Sequence, residues 1–306
     1  MIRQMSMNEL VYRPPYEAAS FLLQVTHGCS HNRCSFCTMY RDVPFSVETD
    51  ACIEEQLAWA KARRPNTDRV FLENGDPFTL NADKLIEIAD KIHAYLPKVE
   101  TIAMYASVKN IKGKSDEDLR RLRDRGINEL NIGVESGLDE ALTRMNKGYS
   151  ARSALDELTR LGRAGISYGA NIIFGCAGPD RRREDAEATA ELLNQTKPYL
   201  IFTGTIHADP GCPLYEDMRS GAFQESTLGE YLDEEETLLR ALTLDNCFFF
   251  GLHPSNVVQM QGWLSRDREA LIAEVQDRRM RLNEHLDQRP VRAGEGGIIQ
   301  FQGVRI

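Results

Sequence analysis

The sequence predicts an α/β protein built as a partial (β/α)6 TIM-like barrel with a C-terminal helical extension. Two observations support this fold class. Short apolar runs of strand length, rich in β-branched and aromatic residues, recur along the chain. Helical patterns separate these runs, as they do in successive βαβ units with right-handed crossovers. The six predicted strands cover residues 20–26, 69–73, 101–106, 129–135, 168–175 and 199–205.

The predicted helices carry apolar residues at helical spacing. In residues 82–96, Leu85, Ile88 and Ile92 share one face. Ser150 is the expected N-cap of a helix over 151–164, which Gly165 ends. Further helices fit residues 50–64, 115–124 and 183–195. An open doubly wound sheet also suits this order of elements, and in either fold the active site forms at the carboxyl ends of the strands.

Beyond the sixth strand the pattern changes. Residues 207–221 are rich in turn-forming residues, residues 227–243 are helical and acidic, and residues 246–251 fit one more strand. A long charged helix is predicted over 264–287. The expected organisation is an N-terminal segment, a barrel core, an extension that closes the barrel and a flexible tail. These parts cover residues 1–19, 20–206, 207–290 and 291–306.

Composition limits the possible ligands. The chain has 306 residues, a formal net charge of −9 and a pI of about 5.3. This acidic balance argues against binding to nucleic acid or to a membrane surface and favours a small-molecule substrate or a modest peptide. The N-terminus lacks the apolar core of a signal peptide, and no apolar run is long enough to span a bilayer. We therefore expect a soluble, cytoplasmic protein.

Three of the seven cysteines lie within nine residues, in the segment THGCSHNRCSFCTMY. They are Cys29, Cys34 and Cys37. The other four are scattered singly, so a disulfide framework is not expected. The remaining cysteines are Cys52, Cys176, Cys212 and Cys247. The close spacing of the three thiols instead indicates metal or redox chemistry.

Two metal sites are compatible with this triplet. Three thiolates can bind three irons of a cubane [4Fe–4S] cluster and leave the fourth iron open to a ligand. Alternatively, a structural zinc ion could take four ligands from the same loop, although structural zinc sites usually use two ligand pairs separated by a longer segment. The zinc ligands would be Cys29, His31, Cys34 and Cys37. Three unliganded thiols are the third reading.

A cysteine triplet directly after the first strand of a (βα) array, with Phe36 before its last cysteine, resembles the radical S-adenosylmethionine (radical SAM) superfamily. The chain has one residue more between Cys29 and Cys34 than the common spacing, which makes it a CX4CX2C variant. The resemblance covers about residues 20–225. It implies a [4Fe–4S] cluster on the three cysteines and S-adenosylmethionine as the second cofactor.

The same resemblance assigns S-adenosylmethionine contacts to later strand ends. The segment LENGDPF corresponds to the superfamily's Gly-Gly-Glu-like segment, which receives the amino group of the methionine moiety. The matching residues are Asn74, Gly75, Asp76 and Pro77. Read structurally, the segment is an ordinary Asn-Gly turn.

The segment NIGVESG resembles a branch that includes oxygen-independent coproporphyrinogen oxidases, methylthiotransferases and Elp3-type proteins. It implies that Glu135 bonds the ribose hydroxyls and that Lys147 pairs with the carboxylate of S-adenosylmethionine. A loop acid and a helix-end cation are the structural alternative. By the same resemblance, the other contacts are Phe36 as an apolar wall, Asn171 and Ser107 as polar contacts, and Phe174 and Gly175 beside adenine.

The resemblance implies reductive cleavage of S-adenosylmethionine to a 5′-deoxyadenosyl radical that takes a hydrogen atom from the substrate. It also implies a flavodoxin or ferredoxin as electron donor. Candidate substrate contacts are His253, Ser255, Asn256, His207 and Asp209, each of which could instead have a structural role. A zinc-stabilised scaffold protein and an electron-carrying iron–sulfur protein that does not cleave S-adenosylmethionine are the alternative functions.

Overall fold

The computed structural model of the chain describes residues 12–282, residue 287 and the two short segments 291–292 and 299–300. Within these residues the model has one large sheet and two small two-stranded sheets. The strands of the large sheet are β1 (Phe21–Gln24), β4 (Arg69–Glu73), β5 (Thr101–Ala106), β6 (Ile127–Glu135), β7 (Ser167–Phe174), β8 (Leu200–Thr205), β9 (Phe248–Phe250) and β10 (Gln261–Trp263). The small sheets pair β2 (Thr26–His27) with β3 (Ser46–Val47), and β11 (Val291–Arg292) with β12 (Ile299–Gln300).

The order of the large sheet is β1-β4-β5-β6-β7-β8-β9-β10. All neighbouring strands from β1 to β9 are parallel, and β10 returns antiparallel to β9. All six predicted strands are present. In the strand pairings of the described residues, β10 does not meet β1, so the sheet is an open, partial barrel that β9 and β10 extend beyond β8.

Helices follow most strands of this sheet along the chain. They are α1 (Asp50–Arg63), α2 (Ala82–Tyr95), α3 (Val108–Lys112), α4 (Asp116–Asp124), α5 (Asp139–Arg144), α6 (Ala151–Arg163), α7 (Arg182–Thr196), α8 (Pro213–Ser220), α9 (Leu228–Ala241) and α10 (Leu264–Arg281). The Ser150 hydroxyl accepts a hydrogen bond from the amide of Ser153, which confirms it as the N-cap of α6. Within the described part of the chain, none of the helices combines the length and the apolar character needed to cross a bilayer.

Two predictions for the extension differ from the structure. The turn-rich segment 207–221 contains helix α8, because Pro213 occupies the first turn, Leu214 is buried and Gly221 ends the helix in the left-handed conformation. Helix α10 ends at Arg281, and residue 287 is not helical. Most of the predicted tail lies outside the described residues. The domain boundaries remain predictions.

The described N-terminal segment closes the amino end of the barrel. Glu17 is fully buried and accepts hydrogen bonds from Arg69 at 2.6 and 2.9 Å, and Arg69 also reaches Glu129 at 2.7 Å. The Tyr16 hydroxyl donates to the side-chain oxygen of Asn131 on β6. Because Arg69 and Glu129 lie at the beginnings of β4 and β6, the opposite, carboxyl end is left for a functional site.

Candidate functional site

The cysteine loop, residues 28–45, joins β2 to β3 at the carboxyl end of β1. Its three cysteines are half-buried. Burial raises the pKa of the Cys34 thiol to about 11, and it also raises the pKa of Cys37. The negative charges of Cys37 and Cys29 add to the increase in the pKa of Cys34, and that of Cys29 adds to the increase in Cys37.

Backbone contacts fix this loop against the segment that follows α5. The Ser35 amide donates to the Met145 carbonyl at 3.1 Å, and the Ser35 hydroxyl donates to the Arg144 carbonyl at 2.8 Å. In return, the Asn146 side-chain amide donates to the Arg33 carbonyl at 2.7 Å. Hydrogen bonds between the loop and residues 144–146 therefore hold the triplet in place.

His31 contributes to the same anchoring. Its Nε2 lies 2.7 Å from the Asn146 carbonyl oxygen, and its Nδ1 lies 3.4 Å from the Lys109 ammonium. Since a carbonyl only accepts, Nε2 carries the proton, and Nδ1 faces the Lys109 donor. Both ring nitrogens are thus engaged within the protein. Among the described residues, no group of three or more His, Cys, Asp or Glu side chains surrounds one point as ligands of a single metal ion would.

The donor set fits an iron–sulfur cluster. Each thiolate of a cubane cluster binds a different iron, so the three ligands need to be neighbours without converging on one point. Cys29 and Cys37 both contribute to the raised pKa of Cys34, as neighbouring thiols would. Cys29, Cys34 and Cys37 would hold such a cluster, with one iron left without a cysteine of this loop.

The segment after β4 packs directly on the cysteine loop. Gly75 has a φ of +86°, and a Cβ atom there would lie 1.8 Å from the Gly28 carbonyl oxygen. The Thr26 hydroxyl donates to the Asn74 carbonyl, and the Ser30 hydroxyl donates to the Asp76 carboxylate. Only glycine allows this approach of the two backbones.

Three of the predicted residues in this segment are buried at the contact. Asp76 is buried, and burial raises the pKa of its carboxyl. The side-chain oxygen of Asn74 is buried without a hydrogen-bond partner, and Pro77 begins a buried turn of 3-10 helix. The predicted methionine-binding segment thus lies beside the cysteine triplet.

Glu135 and Lys147 form a buried ion pair at the end of β6. Their side chains are 8% and 10% exposed, and the Lys147 ammonium lies 2.8 Å from the Glu135 carboxylate. Although burial opposes the charge, Glu135 raises the pKa of Lys147 well above its ordinary value. A Cβ at Gly133 would lie 2.3 Å from the Glu135 carboxylate, so this glycine makes room for the pair.

The remaining predicted cofactor contacts lie around the same end of the barrel. Asn171 is half-buried on β7, Phe174 packs in the core, and Gly175 begins the turn after β7 with a φ of +88°. Ser107 caps helix α3 by accepting from the Asn110 amide, which uses its hydroxyl locally. Phe36 packs at the edge of the core.

The five candidate substrate contacts cluster at the mouth of the barrel, after β8 and β9. His207 Nε2 lies 2.8 Å from an Asp209 carboxylate oxygen, and the other oxygen accepts from the Thr38 hydroxyl of the cysteine loop at 3.1 Å. Asn256 donates to the carbonyls of Thr203 and Gly251 at 3.0 and 2.9 Å. These contacts hold the extension against the barrel.

His253 has a defined tautomer. The Ser255 amide donates to His253 Nδ1 at 3.2 Å, so this nitrogen is an acceptor. The Ser255 hydroxyl lies 2.6 Å from the same nitrogen and donates to it, while its oxygen accepts from the Thr205 amide at 2.9 Å. Burial, with a smaller effect of His207, lowers the pKa of His253. The imidazole is therefore neutral with its proton on Nε2, and this N–H can donate to an oxygen of a bound molecule.

Two polar residues inside the barrel are absent from the sequence-based site. Glu73 is 1% exposed with one carboxylate oxygen lacking a hydrogen-bond partner, and Asn131 is fully buried with an unpartnered side-chain amide nitrogen. Glu73 shares its strand face with Phe71, whose ring contacts that of Tyr105, while Val70 and Leu72 pack toward the helices. A polar residue within or at the end of an apolar run was the available signal.

Glu73 should make stability depend on pH. Burial raises its pKa to about 7 from an ordinary value near ~4.3, so the folded protein holds this proton more tightly than the unfolded chain. The free energy of unfolding should therefore fall as pH rises through this window. We expect Glu73→Gln to remove this fall in the free energy of unfolding. At pH ~8 the variant should be more stable than the wild type by up to roughly 3 kcal/mol. Urea unfolding at pH ~5 and ~8 measures this, and an equal effect of the substitution at both pH values would contradict it.

Comparison with known proteins agrees with this architecture. The model of the Radical SAM superfamily matches residues 23–193. The heme chaperone HemW of Bacillus subtilis is 21% identical over 203 residues, which cover 66% of this chain and 52% of HemW. A tRNA-2-methylthio-N(6)-dimethylallyladenosine synthase of Marinomonas sp. is 27% identical over 210 residues, covering 65% of this chain and 45% of that protein. The chain thus spans about half the length of the curated relatives it matches.

A solved structure shows the same fold. The radical S-adenosylmethionine methyltransferase TsrM of Kitasatospora setae superposes with a TM-score of 0.54 at 17% identity, over 66% of this chain and 39% of TsrM. The predicted α/β partial barrel is confirmed by this likeness and by the strand order. The family match extends over more than half of the chain. The chain therefore belongs to the radical SAM superfamily of enzymes, with a [4Fe–4S] cluster and S-adenosylmethionine as its cofactors.

Proposed function

We propose that this enzyme reductively cleaves S-adenosylmethionine to methionine and a 5′-deoxyadenosyl radical, which then takes a hydrogen atom from a small-molecule or peptide substrate. The observation that carries the proposal is the packing of the segment Asn74–Pro77 and of the buried pair Glu135–Lys147 around the three-thiol loop. When bound, the cluster supplies the electron that breaks the carbon–sulfur bond of the sulfonium.

Residues at several strand ends would each bind a different part of S-adenosylmethionine. Asp76 and the backbone of Asn74 would receive the ammonium of the methionine moiety. Lys147 would bind its carboxylate, and Glu135 the ribose hydroxyls. This role requires the two side chains to exchange part of their mutual contact for contacts with the cofactor. Lys147 would then pair with a carboxylate, and Glu135 would accept hydrogen bonds from the hydroxyls.

Asn171 and Ser107 would add polar contacts to this site, and Phe36, Phe174 and Gly175 an apolar surface for adenine. The substrate would lie between this site and the barrel mouth. The Nε2–H of His253 would donate to a substrate oxygen, with Ser255 fixing the tautomer. His207, Asp209 and Asn256 would position this part of the mouth. Inside the barrel, the unpartnered oxygen of Glu73 would accept from a substrate donor.

A zinc-stabilised scaffold is less well supported, because the fourth ligand of that alternative, His31, has both ring nitrogens engaged by Asn146 and Lys109. An electron carrier would not need the buried pair Glu135–Lys147 beside its cluster. The test is an anaerobic assay of the reconstituted protein with a chemical reductant and fractionated pools of small metabolites. We expect 5′-deoxyadenosine to form and one fraction to stimulate its formation. Reduction of the cluster without any 5′-deoxyadenosine would favour the electron carrier.

We further propose that a flavodoxin or ferredoxin donates the electron at the outer face of the cysteine loop. An open cavity of about 500 Å³ lies there, lined by Cys34 together with Arg33 and Arg41, both of which are exposed. Met39, 45% exposed, adds an apolar surface beside it. Glu216 also lines the cavity, and the two arginines leave one net positive charge there. A local positive charge on a chain of net charge −9 suits an acidic donor protein.

Charge reversal tests this surface. We expect Arg33→Glu combined with Arg41→Glu to slow cleavage driven by reduced flavodoxin by about tenfold, because the charge that attracts the donor is inverted. Cleavage driven by dithionite should remain unchanged. Arg125→Glu, at the amino end of the barrel, is the matched control. An equal loss with dithionite would show that the two arginines support the cluster and not the donor.

A further inference from the structure

Two buried carboxylates lie behind the turns that follow β6 and β7. Asp185 belongs to α7 and Glu234 to α9, and each is 2% exposed. Neither position stood out in the sequence, and neither residue has a role in the function proposed above. Their partners in the two turns are backbone and hydroxyl groups, and Asp185 also accepts from Thr189 on its own helix at 3.3 Å.

Asp185 holds parts of both turns. The Ser136 hydroxyl donates to its carboxylate, and Ser136 directly follows Glu135. The backbone amide of Ala177, in the turn after β7, donates to the same carboxylate. One side chain on a helix thus joins the segment beside the proposed ribose contact to the segment beside the proposed adenine contact.

Glu234 holds the beginning of the second turn. Both of its carboxylate oxygens lie 3.0 Å from the Gly175 amide nitrogen, which donates to them. Gly175 has a φ of +88°, and a Cβ atom there would lie 2.6 Å from the Tyr231 ring. The turn after β7 is therefore pressed against α9 at the point where Glu234 fixes its backbone.

Burying two carboxyl groups next to each other lowers the stability of the fold. Burial raises the pKa of both carboxyls, and the neighbouring charge of Asp185 raises the pKa of Glu234 further. Two adjacent buried acids are less favourable than an apolar pair of similar volume, which often replaces buried ionisable groups without loss of stability. A function in fixing the turns accounts for their presence.

We propose that Asp185 and Glu234 are positioning residues. They fix the turns after β6 and β7 relative to each other, so that the two turns together bind the adenosine group. The inference rests on the proposed function, because it assigns these turns to S-adenosylmethionine. Neither carboxylate contacts the cofactor in this account. They act through Ser136, Ala177 and Gly175.

The test is the affinity of the reconstituted protein for S-adenosylhomocysteine, measured by anaerobic calorimetry together with the cluster absorbance and the melting temperature. We expect Glu234→Ala to bind about tenfold more weakly, as loss of one buried hydrogen bond predicts. Glu234→Gln keeps an acceptor for the Gly175 amide and should restore the affinity. The matched control is Glu235→Ala, since Glu235 is equally buried on the same helix but has a carboxylate oxygen without a hydrogen-bond partner.

Ser136→Ala provides a second, smaller change if Glu234→Ala fails to fold, and it should also weaken binding while leaving the cluster absorbance intact. Wild-type affinity in Glu234→Ala or, failing that variant, in Ser136→Ala would overturn the inference. So would an equal loss of affinity in Glu235→Ala, which would indicate a general effect of stability. Absence of S-adenosylhomocysteine binding by the wild type would refute the proposed function itself, and the inference with it.

Discussion

Replacing Cys34 by alanine should remove the iron–sulfur cluster and lower reductive cleavage of S-adenosylmethionine by at least ~100-fold. The loop offers three thiols, and its histidine, His31, is engaged with Asn146 and Lys109. A cluster left with two cysteines has no replacement thiol in this loop. Iron and acid-labile sulfide per chain, with 5′-deoxyadenosine as product, measure the effect.

Cys52→Ala is the matched control for this experiment. Cys52 is also half-buried, but it lies in the first turn of α1, outside the cysteine loop. We expect this variant to keep the cluster and its activity. Full cluster content and full cleavage in Cys34→Ala would show that the ligand assignment is wrong.

Lys147→Met should both destabilise the protein and abolish binding of S-adenosylmethionine. Removing the ammonium leaves Glu135 as a buried charge without its partner, which typically costs about 3 kcal/mol or more. The carboxylate of the cofactor would lose its cation as well. Chemical denaturation and calorimetry with S-adenosylhomocysteine measure the two effects separately.

The double variant Lys147→Met with Glu135→Gln separates a structural ion pair from a cofactor site. Neutralising both partners should recover most of the stability, because no buried charge is left unpaired. It should not recover the binding of S-adenosylhomocysteine. Recovery of both would mean that the pair serves the fold alone.

Much of the barrel was predictable because its strands are buried on both faces. Residues 69–73 and 101–106 form strands with the predicted bounds, since continuous apolar runs mark parallel strands clearly. The hairpin of β2 and β3 was not predicted. It joins two-residue strands across the cysteine loop, a pairing that depends on tertiary contacts and leaves no local pattern.

Some residues of the site could likewise be located from the sequence, and others could not. Residues in motifs at strand ends, such as Asn74 and Glu135, were predictable because parallel strands bring their carboxyl ends together. The acidic run that includes Glu234 and Glu235 resembles a solvated helix face, yet both residues are buried on α9. The role of Glu234 depends on a partner distant in sequence, Gly175, and could not be inferred from spacing.

The central claim is that the three-thiol loop and the surrounding strand ends cleave S-adenosylmethionine. It is tested most directly by incubating the anaerobically reconstituted protein with S-adenosylmethionine and dithionite and quantifying 5′-deoxyadenosine and methionine. We expect both products in equal amounts, and neither from Cys34→Ala. A fully reconstituted, reducible wild-type cluster that yields no 5′-deoxyadenosine, with or without added metabolites, would contradict the claim.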